Sequence, residues 1–282
     1  MTAINGTTEL YGIIGNPVRH SLSAVMHNAA FSLMGMNCAY LPMLVTQLEQ
    51  SIRGLQALGF KGVSVTIPHK ETVIPFLDEI DPIAEKIGAV NTLLFQEKNG
   101  NKPIVRGFNT DWSGAHAALA EKIKLQSSCV LLAGAGGSAK AVGFGLVQAG
   151  AEVVITNRTT KKGKALAKWL DCEFVPLDDI AWVSGDVLIN TTSVGMEPDI
   201  DGIVVPPSIL SQFSVVMDIV YAPLETRLLR EAKAAGCQTI DGLSMLIYQG
   251  IEQFRIWTDV KPSELIMRSA LEEELRKREM QT

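Results

Sequence analysis

Apolar and polar positions along the chain follow two rhythms. In the first third, short apolar runs alternate with helix-spaced ones. Residues 10–15 read as an apolar strand before a turn at Pro17, and a helix is predicted over 23–34. Thr46-x-x-Glu49 has the spacing of a capping box, followed by Ile52, Leu55 and Leu58 at near-helical intervals. The β-branched run 62–67 predicts a strand stopped by Pro68. Strands over 90–96 and 104–108 flank Lys98-Asn99-Gly100-Asn101, whose Asn-Gly pair signals a hairpin. A helix is predicted over 111–124 and could bridge two domains.

The middle third changes character. Residues 129–133 are continuously apolar, as buried parallel strands are. A glycine-rich turn and a helix to about 150 follow, then a strand over 152–156 and a helix over 161–170. Further strands are predicted over 187–191, 215–220 and 238–240. This alternation predicts a doubly wound parallel sheet. The end is helical, with one helix over 244–257 and another opened by Pro262. Glu272/Arg276, Glu273/Lys277 and Glu274/Arg278 are i,i+4 pairs that give the last helix a solvated face.

Composition narrows the function classes. With 282 residues and 47% hydrophobic residues, the chain supports about two domains with cores and is not disordered. Its charge sum, 25 − 30 = −5, lacks the basic field of a general nucleic-acid binder. No run of 18 apolar residues predicts a membrane span, and the polar first ten residues carry no signal-peptide pattern, so a cytoplasmic protein is expected. The four cysteines are scattered without a CxxC pair, and His20 and His27 have no carboxylate cluster; free thiols and no metal site are expected.

Four motifs carry chemistry. Gly134-Ala135-Gly136-Gly137-Ser138-Ala139 follows a predicted strand and opens a helix, the setting in which a backbone loop holds a pyrophosphate. The turn after the second strand, Asn157-Arg158-Thr159-Thr160-Lys161-Lys162, lacks the carboxylate that would bond a ribose 2′-hydroxyl. Its basic groups suit a 2′-phosphate, which favours NADP over NAD. Ser21 and Ser23 precede a helix, where hydroxyls and free N–H groups can bind a carboxylate, although taken alone Ser23 reads first as an N-cap. Thr66, Lys70, Asn91 and Asn109-Thr110-Asp111 stand at apparent strand ends. A lysine and an aspartate meeting in a cleft form an acid/base unit; singly, Lys70 reads as a helix-start charge, Asn91 as a turn residue and Asp111 as an N-cap.

Jointly, GNPVRHSLS at 15–23, VTIPHK at 65–70, GAVNT at 88–92, GFNTD at 107–111, GAGGSAKA at 134–141, NRT at 157–159, NTTSVGM at 190–196, DIVYAPLETRLL at 218–229 and DGLSMLIYQG at 241–250 resemble the shikimate/quinate dehydrogenase family over nearly the whole chain. The resemblance implies an α/β fold of two domains. A substrate domain of 1–110 plus 246–282 would accompany a Rossmann NADP-binding domain of 111–245, with a closing cleft between. It implies reversible NADPH reduction of 3-dehydroshikimate to shikimate, in aromatic amino acid biosynthesis, by a monomer or homodimer. Ser21 and Ser23 would hold the substrate carboxylate. Thr66, Asn91, Asp111 and Gln249 would hold ring hydroxyls, with Tyr221 at the far wall. Lys70 would be the general acid/base and Asp111 its partner. Gly134, Ala135, Gly136, Gly137 and Ser138 would cradle the pyrophosphate. Asn157, Arg158, Thr159 and Lys162 would hold the 2′-phosphate, and Thr192, Ile219, Gly242 and Met245 would line the nicotinamide side. Ser64 and His69 depart from the pattern, standing where many members carry Asn and Phe, and His69 adds a titratable ring next to Lys70. The alternatives are a quinate/shikimate dehydrogenase using NAD and a non-catalytic NADP/shikimate-binding sensor.

Overall fold

The computed structural model describes residues 4–98 and 101–280. It divides into two compact units, Met1–Thr110 with Gln249–Thr282, and Asp111–Tyr248. The chain begins with β1 (Glu9–Gly15), α1 (Ser23–Leu33), β2 (Cys38–Leu44), α2 (Leu48–Ala57), β3 (Gly62–Val65) and the short α3 (His69–Thr72). It continues through β4 (Glu79–Ile80), α4 (Pro82–Ile87), β5 (Thr92–Lys98) and β6 (Asn101–Phe108). These strands form one mixed sheet in the order β2-β1-β3-β5-β6-β4. β1 runs parallel to β2 and β3, whereas β5 is antiparallel to β3 and β6. Ile14, Val63, Val65 and Leu93 fill its core. Pro42 sits in β2, an edge strand where a missing N–H breaks no ladder. Lys98 and Asn101 pair across the β5–β6 hairpin, but its predicted Asn99-Gly100 turn lies outside the described residues.

The second unit opens with α5 (Asp111–Ala120), β7 (Cys129–Ala133), α6 (Gly137–Gln148), β8 (Glu152–Thr156), α7 (Thr160–Leu170) and β9 (Glu173–Phe174). β10 (Val187–Asn190), β11 (Val215–Asp218), α8 (Arg227–Ala234) and β12 (Gln238–Ile240) complete its sheet. All its strands are parallel, ordered β9-β8-β7-β10-β11-β12, which is the doubly wound 3-2-1-4-5-6 arrangement. Val130 to Leu132, Val187 to Ile189 and Val216 to Met217 are wholly inaccessible, because helices cover both faces. The strand order reverses between β7 and β10, so their carboxyl ends flank the crevice where such sheets take ligands. Two helices end the chain, α9 (Gly242–Thr258) and α10 (Glu264–Glu279); Tyr248 and Gln249, adjacent in α9, fall in different units.

Several local expectations are corrected. Gln47, not Thr46, precedes α2, and no side chain caps it; Glu49 pairs with Arg53 at 2.6 Å instead of closing a capping box. Ile52 and Leu55 are buried, but Leu58 lies past the helix and is 70% exposed. The helix predicted over 111–124 ends at Ala120, where the N–H groups of Lys122 and Ile123 turn back to the Leu119 carbonyl. Ser23 is not the cap of α1 but its first residue; the cap position is Leu22, without a side-chain bond. Pro262 does not open α10, because Ser263 caps that helix with its hydroxyl on the Ile266 N–H. At its far end, Glu273–Lys277 and Glu274–Arg278 form the expected ion pairs.

Candidate functional site

In the first unit the candidate residues gather behind the ends of β1 and β3. Gly15 is needed at the end of β1, since a Cβ there would lie 2.4 Å from Thr66 Cγ2. The Thr66 N–H bonds the Ile14 carbonyl at 2.9 Å, and the Asn16 N–H bonds that of Ile67 at 2.9 Å, tying the serine loop to the Thr66 turn. Within that loop the Ser23 N–H donates to Ser21 Oγ at 3.3 Å, and the buried Ser23 hydroxyl reaches the Tyr40 phenol. Arg278 of α10 holds the loop from outside through the His20 carbonyl at 3.2 Å.

Lys70 is carried by α3, whose position is fixed twice. The Val90 N–H bonds the Lys70 carbonyl at 2.8 Å. The buried His69 ring places Nε2 3.0 Å from the Val45 carbonyl. A carbonyl only accepts, so Nε2 carries the proton and donates. His69 therefore works as a tether between α3 and the segment after β2.

Asn91, read alone as a turn residue, is buried immediately before β5. Its Oδ1 accepts from the Thr110 N–H at 2.8 Å and from the Thr92 hydroxyl at 2.7 Å. Its Nδ2 donates to Thr110 Oγ1 at 3.0 Å and to Gln249 Oε1 at 3.4 Å. Thus Asn91, Thr110 and Gln249 form one buried amide–hydroxyl cluster. Asp111, also buried, starts α5 in the other unit.

In the second unit, Gly134 ends β7 with φ +127°, a conformation that favours glycine, and a Cβ would meet Thr191 Oγ1 at 2.4 Å. Gly136 and Gly137 have open space where a side chain would stand, so a ligand can approach the backbone. α6 starts there with no side-chain cap and no acidic residue in its first turn. α7 repeats this pattern, with no side-chain cap, no first-turn acid, and Arg158, Lys161 and Lys162 exposed around it. Asn157 Nδ2 donates to the Thr159 carbonyl at 2.9 Å and shapes that turn. Two bare, acid-free helix starts fit a ligand with two separated anionic groups.

The carboxyl ends of β10 and β11 share a network that motif reading missed. Asn190 Oδ1 accepts from both the N–H and the hydroxyl of Thr192, at 2.9 and 2.7 Å. Asn190 Nδ2 donates to Asp218 Oδ1 at 3.0 Å. Asp218 also accepts from the Val220 N–H at 3.0 Å and the Thr226 hydroxyl at 2.7 Å. Gly242 packs on this turn so closely that a Cβ would lie 2.4 Å from the Val220 carbonyl oxygen and 2.6 Å from that of Ile219. Buried Met245 follows one turn later, while Tyr221 is half-buried. A lone acid ending an apolar strand was the available signal for Asp218. Among the described residues, no group of three His, Cys, Asp or Glu could hold a metal.

Burial pushes the Asp218 carboxyl up from the ordinary 3.8 to about 6, against the pull of its Val220, Thr226 and Asn190 bonds. The folded protein then holds this proton more tightly than the unfolded chain. The linked stability is complete below about pH 4 and is lost as the pH rises through about 6, up to roughly 3 kcal/mol. Asp218→Asn lacks that titration. Urea unfolding at pH 4 and pH 7 should show the wild type losing about that much relative to the variant; a pH-independent gap would refute the assignment.

Comparison with known proteins agrees with this layout. Residues 13–93 match the shikimate dehydrogenase substrate binding domain. Residues 117–197 match shikimate / quinate 5-dehydrogenase, and 242–272 the shikimate 5′-dehydrogenase C-terminal domain. The chain is 44% identical over 279 residues to the shikimate dehydrogenase (NADP(+)) of Methanosarcina mazei, covering 94% of this chain and 98% of that protein. It is 47% identical over 271 residues to the Thermococcus kodakarensis enzyme of the same name, covering 93% and 96%. The crystal structure of shikimate 5-dehydrogenase from Thermus thermophilus, in complex with NADP(H) and shikimate, superimposes with a TM-score of 0.85 at 37% identity, covering 94% of this chain and 99% of that one. Sequence, two-unit fold and sheet order converge, and the chain belongs to the shikimate dehydrogenase family.

Proposed function

We propose that this protein is an NADP-dependent shikimate dehydrogenase, interconverting 3-dehydroshikimate and shikimate. The observation that supports it most is the buried cluster of Asn91, Thr110 and Gln249, a set of fixed donors and acceptors suited to ring hydroxyls. Ser21 and Ser23 take the substrate carboxylate, while Thr66, Asn91, Asp111 and Gln249 take the hydroxyls. The two bare helix starts divide the cofactor's anionic groups. The loop Gly134 to Ser138 takes the pyrophosphate, and Asn157, Arg158, Thr159 and Lys162 take the 2′-phosphate. Thr192, Ile219, Gly242 and Met245 line the nicotinamide side.

NADPH, when bound, supplies the hydride that reaches the ring carbonyl carbon. The carbonyl π pair moves onto oxygen, and Lys70 stabilises that charge and delivers the proton. In the reverse direction Lys70 takes the hydroxyl proton, and Asp111 is the second residue assigned to the acid/base step. Initial rates should be highest with shikimate and NADP, followed by nicotinamide absorbance. Faster turnover with quinate and NAD would overturn the assignment.

A further inference from the structure

Gln253 stands one helical turn beyond Gln249 on α9 and is 1% exposed. Its Oε1 accepts from the Ser64 hydroxyl at 2.9 Å. Ser64 Oγ accepts in turn from the Tyr40 phenol at 2.7 Å, and Tyr40 is itself bonded to Ser23. On its other side, Gln253 Nε2 donates to the Asn91 carbonyl at 3.1 Å and to Thr92 Oγ1 at 3.0 Å. The Thr92 hydroxyl then has its single proton for Asn91 Oδ1, at 2.7 Å. Ser64 and Thr92 each accept one bond and donate one, so Tyr40, Ser64, Gln253, Thr92 and Asn91 form a relay with one direction. Its last bond, with the Thr110 N–H, makes Oδ1 the acceptor end of Asn91 and turns Nδ2 toward Gln249.

We propose that Gln253 is a positioning residue for substrate recognition, holding the Asn91 backbone and the Thr92 hydroxyl so that the Asn91 amide keeps its place beside Gln249. The assignment rests on shikimate being the substrate. Without the Gln253 donor, the Asn91 backbone carbonyl and Thr92 Oγ1 lose their shared tether, and the Asn91 amide shifts about its remaining bond with the Thr110 N–H. Gln249, a direct candidate for substrate contact, would then lose the alignment that the Asn91 Nδ2 donor gives it.

Gln253→Met keeps an unbranched side chain of similar length and removes both amide ends. KM for shikimate should rise about tenfold, as expected when a buried bond is left unmade, while KM for NADP stays within twofold. A crystal structure of the variant should show the Asn91 amide shifted away from Gln249. Ser64→Asn combined with Gln253→Ala returns an amide to the same gap from the β3 side, and should recover most of the shikimate KM. An Asn91 amide in its wild-type place overturns the proposal, as does an unchanged shikimate KM. So do equal rises for both ligands with a matching drop in Tm, which mark a general packing role. If wild-type protein fails to bind shikimate by calorimetry, the functional reading fails by itself, and the place of the Asn91 amide still decides the role of Gln253.

Discussion

Lys70→Ala should lower kcat by about two to four orders of magnitude while leaving the Kd for shikimate nearly unchanged. The magnitude follows from the chemistry. Hydride addition creates an alkoxide, and without the ammonium neither charge stabilisation nor a positioned proton is available. The fold should survive the change. The α3 backbone is held by the Val90 N–H on the Lys70 carbonyl and by the His69 ring on the Val45 carbonyl, and alanine preserves both contacts. Alanine is also the best helix former, so four-residue α3 loses nothing locally. Steady-state rates together with calorimetric shikimate titration separate the two effects. Turnover close to that of the wild type would exclude Lys70 as the acid.

Arg158→Ala should raise KM for NADP by about tenfold or more and alter KM for NAD by less than twofold. A guanidinium–phosphate contact contributes roughly 1.5–3 kcal/mol, and only NADP carries the phosphate that makes it. The turn offers no acidic residue to prefer a bare ribose, and its exposed Arg158 stands beside the uncapped start of α7. Lys161 and Lys162 remain in the variant, so binding weakens without vanishing. Equal changes for both dinucleotides would show that Arg158 is not the 2′-phosphate ligand. High salt should weaken NADP binding more than NAD binding, because the contact is exposed.

Legibility in the sequence tracked how local the governing physics is. β7, β8 and β12 were readable to the residue: β7, covered on both faces, leaves an unbroken apolar run, whereas β12, Gln-Thr-Ile at the sheet edge, was marked only by the alternation around it. The glycine loop was readable because its constraints lie within a few residues of Gly134. β2 escaped, as Pro42 and an exposed edge erase the usual pattern. Thr46 and Pro262 misled because a capping motif marks a helix start only to within a residue or two. Asn91 gained a role only through family resemblance; its own neighbours suggested a turn. The Ser64–Gln253 bond spans 189 positions, and no spacing rule reaches that far. Asp218 is similar: its meaning lies in Asn190 and Thr226, which belong to other segments of the same unit.

The split of the first unit inverts the usual order of assembly on the ribosome. Trp257 presses against Gly62 and donates its indole N–H to the Leu93 carbonyl at 2.9 Å, and α10 packs against α1. Phe254, Met267 and Leu271 are wholly buried there. All of these side chains except those before Tyr248 are made only after the whole of the second unit. The N-terminal sheet therefore leaves the exit tunnel first yet waits with an apolar face uncovered, while the continuous second unit, complete at Tyr248, matures ahead of it. Of the two units, the one begun first is the one completed second, and its early exposure is where a nascent-chain chaperone has most to protect.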